Sequence, residues 1–168
     1  MKQQYIDEME KIIDEEIEIY SNIEQSVIDK REILVKAKVE ELKKIDTRLI
    51  EQATDLEKVL LKRRKTSKDM GCNNITLKDL IEKTKDIDTV QSKRFADKQT
   101  RLKKIVENIR KVNEINTALV KHSLIIVEKS IKAIMNVAAP ETASYGMDGK
   151  ATKKINPNVI ISSIEKEA

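Results

Sequence analysis

The residues of this sequence that could do chemistry are few and far apart. His122 is the only histidine and Cys72 the only cysteine, and nothing near His122 in sequence supplies a nucleophile or an acid partner. The acidic run 14–16 could attract a metal ion, but consecutive helix positions point in different directions. The sequence contains neither the Glu-x-x-His elements of di-iron bundles nor a glycine-rich phosphate loop. We therefore expect no catalysis, no metal site and no cofactor.

The composition favours long, thinly packed helices. The chain has three glycines and two prolines, and all of these except Gly71 lie at or beyond Pro140. Charged residues make up 37% of the sequence, whereas aromatic residues make up 2%, with Phe95 as the only phenylalanine and no tryptophan. A compact globule usually needs large rings to fill a thick core. We therefore expect two or three helices that pack along an aliphatic seam.

Heptad spacing predicts a first helix over about residues 5–67. The apolar positions recur every seven residues, slip by one position between Leu34 and Val35, and then continue at the same spacing to Leu56. Gly71 and the following asparagines predict a turn, and the capping-box pattern Thr76–Asp79 predicts a short helix at about 76–84. A second long helix should cover about 88–138.

These elements predict an all-α fold, with a long antiparallel helical hairpin at 1–139, a short connecting helix, and a flexible tail at 140–168. The charges favour pairing of the two long helices. Residues 1–34 carry ten acidic and four basic residues, whereas residues 91–132 carry eleven basic and four acidic ones. An asparagine in the seam of the second helix, Asn116, should set the helix register or the choice of partner.

The distal half of the second long helix carries more apolar surface than a helix pair can bury. Val120, Leu124, Ile131 and Met135 form a row beside the seam, and Tyr5, Ile12 and Ile19 flank the seam at the start of the first helix. In an antiparallel hairpin these two regions would lie at the same end. Either the short helix, the tail or a second copy covers this end, or it forms a groove for an amphipathic helix of a partner protein.

Three segments resemble the flagellar export chaperones of the FlgN type. The short element at residues 76–81 is similar to that family's Thr-Leu-x-x-Leu-Ile element. Residues 113–124 resemble its Asn-x-x-Asn-x-x-Leu-x-x-x-Ser-Leu segment, and residues 144–149 resemble its Tyr-Gly-x-x-Gly signature. The family often has an aromatic residue soon after the Ser-Leu pair, where this chain has Ile125 and Ile126. An apolar patch at Val159–Ile161 has no assignment.

The resemblance implies a chaperone that binds the disordered terminal segments of hook-associated proteins, prevents their premature association, and delivers them to the flagellar export apparatus. The family's binding region is the end of the second long helix with the tail. We expect aliphatic residues to form the floor of the groove, two polar residues to set the register of the bound segment, and one tyrosine to clamp it. The floor residues are Leu119, Val120, Leu124, Val127, Ile131, Ile134 and Met135, the polar residues are Asn116 and Ser123, and the tyrosine is Tyr145.

Two other functions are compatible with parts of the sequence. The same heptads could form a homodimeric coiled coil that acts as a structural scaffold. The basic stretch could contact nucleic acid, but acids are interleaved with the bases and no aromatic residues offer a stacking surface, so we expect no nucleic-acid binding. The single cysteine, the lack of a signal peptide and a longest aliphatic run of only Leu124–Val127 predict a cytoplasmic protein without stable membrane insertion.

Overall fold

The computed structural model describes residues 3–85, 88–138, 143–145 and 151–153. Four helices account for nearly all of them, which confirms the all-α class. They are α1 (Gln3–Val35), α2 (Val39–Asp69), α3 (Leu77–Lys85) and α4 (Thr89–Ala138). Two three-residue strands, β1 (Ala143–Tyr145) and β2 (Ala151–Lys153), pair antiparallel with Ala143 opposite Lys153. The chain divides into two compact units, Met1–Val120 and Lys121–Ala168.

The prediction of one continuous helix over 5–67 is wrong, because the chain turns at residues 36–38. The amide of Ala37 donates to the carbonyl of Leu34 (3.2 Å) and that of Lys38 to the carbonyl of Ile33 (3.2 Å). Ala37 has a φ of +52°. This pair of hydrogen bonds around a left-handed residue is the Schellman motif that ends helices. It ends α1 and lets α2 fold back.

The antiparallel hairpin is therefore formed by α1 and α2 rather than by the two helices that flank α3. Three ion pairs show the antiparallel direction, because they join the first half of α1 to the end of α2 and the end of α1 to the first half of α2. The first two are Glu15 with Lys62 (2.9 Å) and Glu16 with Arg63 (2.9 Å), and the third is Lys30 with Asp46 (2.7 Å). Both members of the Glu16–Arg63 pair are largely buried. Each pair fixes α2 alongside α1.

Within the first unit, α4 runs parallel to α1. Three side-chain contacts show this, because the residue numbers of both partners rise together: Gln3 with Gln91 (3.0 Å), Glu10 with Lys98 (3.2 Å) and Glu24 with Asn108 (2.9 Å). The acidic α1 thus pairs with the basic α4, but in the parallel direction. The start of α1 consequently lies beside the start of α4, and the predicted antiparallel placement of residues 5–19 beside the distal half of α4 is wrong.

The tightest part of the core surrounds the first half of α1. Its members come from α1, from the segment at 75–80 and from α4, and they include Ile6, Met9, Ile13, Ile75, Leu77, Leu80 and Phe95. Of the three residues that flank the seam at the start of α1, Ile12 is buried, whereas Tyr5 and Ile19 are half-buried.

The connection from α2 to α3 forms largely as the sequence predicts. Gly71 has a φ of +77°, and its amide donates to the carbonyl of Lys68 (2.8 Å), while that of Cys72 donates to the carbonyl of Ser67 (2.9 Å). The observed bounds of α3 and α4 lie within one residue of the predicted ones. The division into 1–139 and 140–168 stays a prediction. Apart from β1 and β2, the tail and its Val159–Ile161 patch lie outside the described residues.

Candidate functional site

The distal half of α4 exposes a row of large aliphatic side chains. We call Leu124, Val127, Ile131 and Ile134 the distal row. They follow one another at i, i+3, i+7 and i+10, so they lie within about 80° of one another around the helix axis. Their exposed fractions are 63%, 53%, 51% and 66%. Single exposed aliphatic residues are ordinary on protein surfaces, whereas a contiguous row marks a surface for interaction.

The distal row continues the stripe by which α4 packs against α1. At 100° per residue, Phe95, Leu102 and Ile109 occupy the same side of α4 as the distal row, and all three join the core of the first unit. From Lys121 to Ile134 every described side chain is exposed, and Met135 is half-buried. The side of α4 that the first unit buries is therefore exposed in the second.

The apolar surface also extends to the other sides of α4. Ile125 and Ile126 are 48% and 51% exposed, although neither belongs to the distal row. The prediction from the sequence left them out because it followed a single row. The unbroken run Leu124–Val127 was the signal that could have identified them, since four consecutive positions cover every side of a helix.

The charges beside the distal row are mostly positive. Residues 121–138 contain three lysines and one glutamate. Glu128 is paired with Lys132 at 2.6 Å, and this hydrogen bond and charge lower the pKa of the Glu128 carboxyl. Lys121, about 60° from Leu124 around the helix axis, is exposed and makes no ion pair with any described residue, whereas Lys129 lies on the opposite side of α4. A segment with apolar residues along one side and acidic residues at its edges would complement this surface.

Asn116 has a structural role, so its prediction as a contact for a bound segment is wrong. It is 2% exposed, and its Nδ2 donates to the carbonyl of Val27 on α1 at 2.9 Å. Its Oδ1 is buried without a hydrogen-bond partner among the described residues. A side chain buried between two helices cannot reach a ligand at the surface. Asn116 instead fixes the register of α4 on α1, the alternative that its position in the seam also predicted.

The other predicted site residues lie in different surroundings. Leu119 is half-buried and Val120 is 38% exposed, and both belong to the first unit. Ser123 is exposed on α4. Tyr145 is the last residue of β1, and its side chain lies outside the described residues. Among the aliphatic residues of the predicted groove, the four of the distal row are thus the most exposed.

The residues considered for chemistry lie in separate places. His122 is exposed on α4, and Cys72 is half-buried in the α2–α3 connection, where the nearest charged group is the Nζ of Lys83 at 3.5 Å from its sulfur. In the parts of the chain that the structure describes, no three His, Cys, Asp or Glu side chains are grouped so that they could hold a metal ion. None of the helices in those parts combines the length and apolar character that crossing a membrane requires.

A family model described as FlgN protein matches residues 1–153. The chain belongs to the FlgN family. No curated protein and no solved structure matches it. FlgN proteins are flagellar export chaperones, and that general role is therefore this chain's as well. The match includes the whole of α4 and both strands, so the distal row lies within the matched part of the chain.

Proposed function

We propose that the distal row of α4 binds the amphipathic terminal segments of hook-associated proteins, keeps them from associating prematurely, and holds them until they are delivered to the export apparatus. The observation that carries this proposal is the contiguous exposure of Leu124, Val127, Ile131 and Ile134. Their spacing matches the anchor positions of an amphipathic helix, which would place its own i, i+3 or i+4, and i+7 residues along the row.

The energy available from the distal row shows that more of α4 must take part. Each of its four side chains exposes between 51% and 66% of its surface. Since full burial of such a side chain is worth about 1.5–3 kcal/mol, covering the row contributes roughly 3.5–7 kcal/mol before ordering costs. Micromolar binding needs about 8 kcal/mol net. Contacts to Ile126 on the neighbouring side, and to the exposed Lys121, would supply the difference.

The competing scaffold hypothesis needs the heptad seam for pairing between two copies. In the first unit that seam is occupied within a single chain, because Ile13 and Val27 of α1, Val59 of α2 and Ile105 of α4 are all at least 93% buried. A homodimer would therefore have to use surface outside that buried seam, such as the distal row. The mass of the free protein in solution separates the two functions.

The test is co-purification of the full chain with a hook-associated protein that either carries or lacks its terminal segments. The proposal predicts a stable complex that is lost when those segments are removed. Leu124→Asp combined with Ile131→Asp should weaken the complex by at least about a hundredfold, because two anchors worth roughly 1–2 kcal/mol each are lost and two carboxylates are placed in an apolar contact.

The matched control carries the same two changes on α2. Leu61 and Ile50 are 55% and 69% exposed, much like Leu124 and Ile131 at 63% and 51%. Leu61→Asp with Ile50→Asp should leave binding unchanged, and both double variants should keep their helical circular dichroism. Equal loss of binding in the two double variants would contradict the proposal, and so would a complex that survives removal of the terminal segments.

A further inference from the structure

Two clefts lie next to each other along α2 and its connection to α3. The first, of about 180 Å³, is lined mainly by the aliphatic side chains of Ala53, Leu56, Leu60 and Leu61. The second, of about 560 Å³, is lined by Leu61, Arg64, Lys65, Lys68, Asn73 and Asn74. Because both clefts include Leu61 and Arg64, they form one continuous groove, which we call the α2 groove. From Ala53 to Lys68 it is roughly 22 Å long.

The basic residues at the end of α2 divide between the contact with α1 and the α2 groove. Lys62 and Arg63 each pair with a glutamate of α1 at 2.9 Å. Arg64, Lys65 and Lys68 line the groove, are exposed, and make no ion pair with any described residue. The negative end of the helix dipole accounts for Lys68 alone, because the effect of the dipole falls off within the last turn, where Lys68 is the basic residue. Arg64 and Lys65 are therefore available to carboxylates from outside the chain.

We propose that the α2 groove binds an amphipathic helix of a partner protein, and that this helix has an acidic N-terminal end. Ala53, Leu56 and Leu60 are spaced i, i+3 and i+7, which is the spacing at which one helix contacts the apolar side of another. Carboxylates of the partner helix would lie over the cations at the other end of the groove, so that both its apolar and its charged halves are matched.

Glu57 sets the direction of the bound helix. It is exposed at the aliphatic end of the groove, and the seven residues between it and Arg64 correspond to roughly 10 Å along α2. Carboxylates of the partner would be repelled by Glu57 and attracted by Arg64, so the acidic end lies toward Lys68. Since acidic residues stabilise the first turn of a helix, the acidic end is the N-terminal one, and the bound helix runs antiparallel to α2.

An anionic membrane surface would offer the same negative charge, but the leucines of the groove favour a helix. Leu56 and Leu60 are half-buried, so side chains of a partner can cover them, whereas neither can reach into a bilayer. Among the three leucines of the groove, only Leu61 is exposed, at 55%. The inference does not depend on the proposed function, because the α2 groove belongs to the first unit and shares no residue with the distal row.

The test is fluorescence anisotropy with the full chain and a labelled synthetic helix of about 15 residues, which matches the length of the groove. The first two turns of this peptide carry three glutamates, and leucines follow at i, i+3 and i+7. It should bind about tenfold more tightly than the same peptide with glutamines in place of the glutamates, because each exposed ion pair contributes a factor of about two. This preference should disappear in about 0.5 M salt.

Two charge-reversal variants show whether the groove is the binding site. Arg64→Glu with Lys68→Glu should weaken binding of the acidic peptide by about tenfold or more, because attraction is replaced by repulsion. Lys44→Glu with Arg48→Glu is the matched control, since these two cations are also exposed on α2 and also four residues apart, but lie outside the groove. This control should bind the peptide as the unaltered chain does, and circular dichroism should show equal helical content in both variants.

Equal binding of the acidic peptide by the two variants would overturn the inference, and so would equal binding of the acidic and glutamine peptides by the unaltered chain. Phosphatidylglycerol vesicles that bind the unaltered chain but not Arg64→Glu with Lys68→Glu, without peptide binding, would overturn it in favour of a membrane surface. Leu61→Asp with Ile50→Asp should lose the peptide and keep the hook-associated cargo. Cargo binding without peptide binding by the unaltered chain would remove this inference alone, and peptide binding without cargo binding would remove only the proposed function.

Discussion

The turn at Ala37 decides which helices pack together, and a single substitution tests it. Ala37 holds a φ of +52° at the position where Schellman motifs usually have glycine. A left-handed backbone destabilises an alanine by roughly 1–2 kcal/mol, whereas glycine adopts it without this penalty because it has no Cβ atom. Glycine loses more conformational freedom on folding, by about 0.5–1 kcal/mol. Ala37→Gly should therefore stabilise the protein by a net of roughly 0.5–1 kcal/mol.

A continuous helix over 5–67 predicts the opposite sign. In that arrangement Ala37 would lie in the middle of a helix, where glycine costs about 1 kcal/mol relative to alanine. The two arrangements thus differ by roughly 1.5–2 kcal/mol in the expected effect of one substitution. This difference is well above what denaturant titration resolves.

The assay is urea unfolding followed by circular dichroism, with Ala53→Gly as the matched control. Ala53 is an exposed alanine inside α2, so its replacement should cost about 1 kcal/mol. Ala37→Gly should raise the unfolding midpoint while Ala53→Gly lowers it. A fall in the midpoint for both variants would refute the turn, and with it the assignment of α1 and α2 as the antiparallel pair.

Two further predictions concern the α1–α2 interface. Arg63→Met should destabilise the fold by about 3–5 kcal/mol in urea unfolding, because Glu16, which is 3% exposed, would lose its partner. Adding Glu16→Leu should recover most of that loss, and no recovery would mean that the ion pair is not what matters there. Burial, and then the charge of Glu16, raise the pKa of Tyr20 above its usual 10.0. Since the folded state holds this proton more tightly than the unfolded state does, the stabilisation is present below about pH 10 and is lost as the pH rises through the folded pKa. Tyr20→Phe should therefore flatten the fall in stability between about pH 9 and 11, and an unchanged fall would show that another group titrates.

The two turns show which parts of the fold the sequence could predict. Gly71 marks the end of α2, and Thr76 and Asp79 form the predicted capping box, in which the Asp79 amide donates to Thr76 Oγ1 at 3.1 Å and the Thr76 amide donates to Asp79 Oδ2 at 2.8 Å. The turn at residues 36–38 has the same hydrogen bonds as the one at Gly71, but no glycine or proline marks it. The available signal was the heptad slip between Leu34 and Val35, which coincides with the end of α1.

The error in helix direction followed from the missed turn. Opposite charges on the first and last helices predict that they pair, and the ion pairs of Lys98 with Glu10 and Asp14 agree with this. Charge does not specify direction, however. Once α2 folds back on α1, the chain enters α4 near the start of α1, and α4 can only run parallel to it.

The sequence predicts those features of the candidate site that depend only on the helical spacing of residues along α4. Placing residues at 100° intervals predicts the row of Leu124, Val127, Ile131 and Ile134, which the structure leaves exposed. The same procedure cannot tell which helix faces a given row. The period of α4 is therefore compatible with Asn116 both as a seam residue and as a ligand contact, and only its hydrogen bond to the carbonyl of Val27 decides between the two.

Site-specific photocrosslinking tests the central claim most directly. A photoreactive residue placed at Val127, which is 53% exposed in the middle of the distal row, should crosslink to the terminal segment of a bound hook-associated protein. The same residue at Ile50, which is 69% exposed on α2, should not. Crosslinks from Val127 that map to the terminal segment would establish the distal row as the cargo site. Crosslinks from Ile50 alone, in a complex that still forms, would contradict the proposed site.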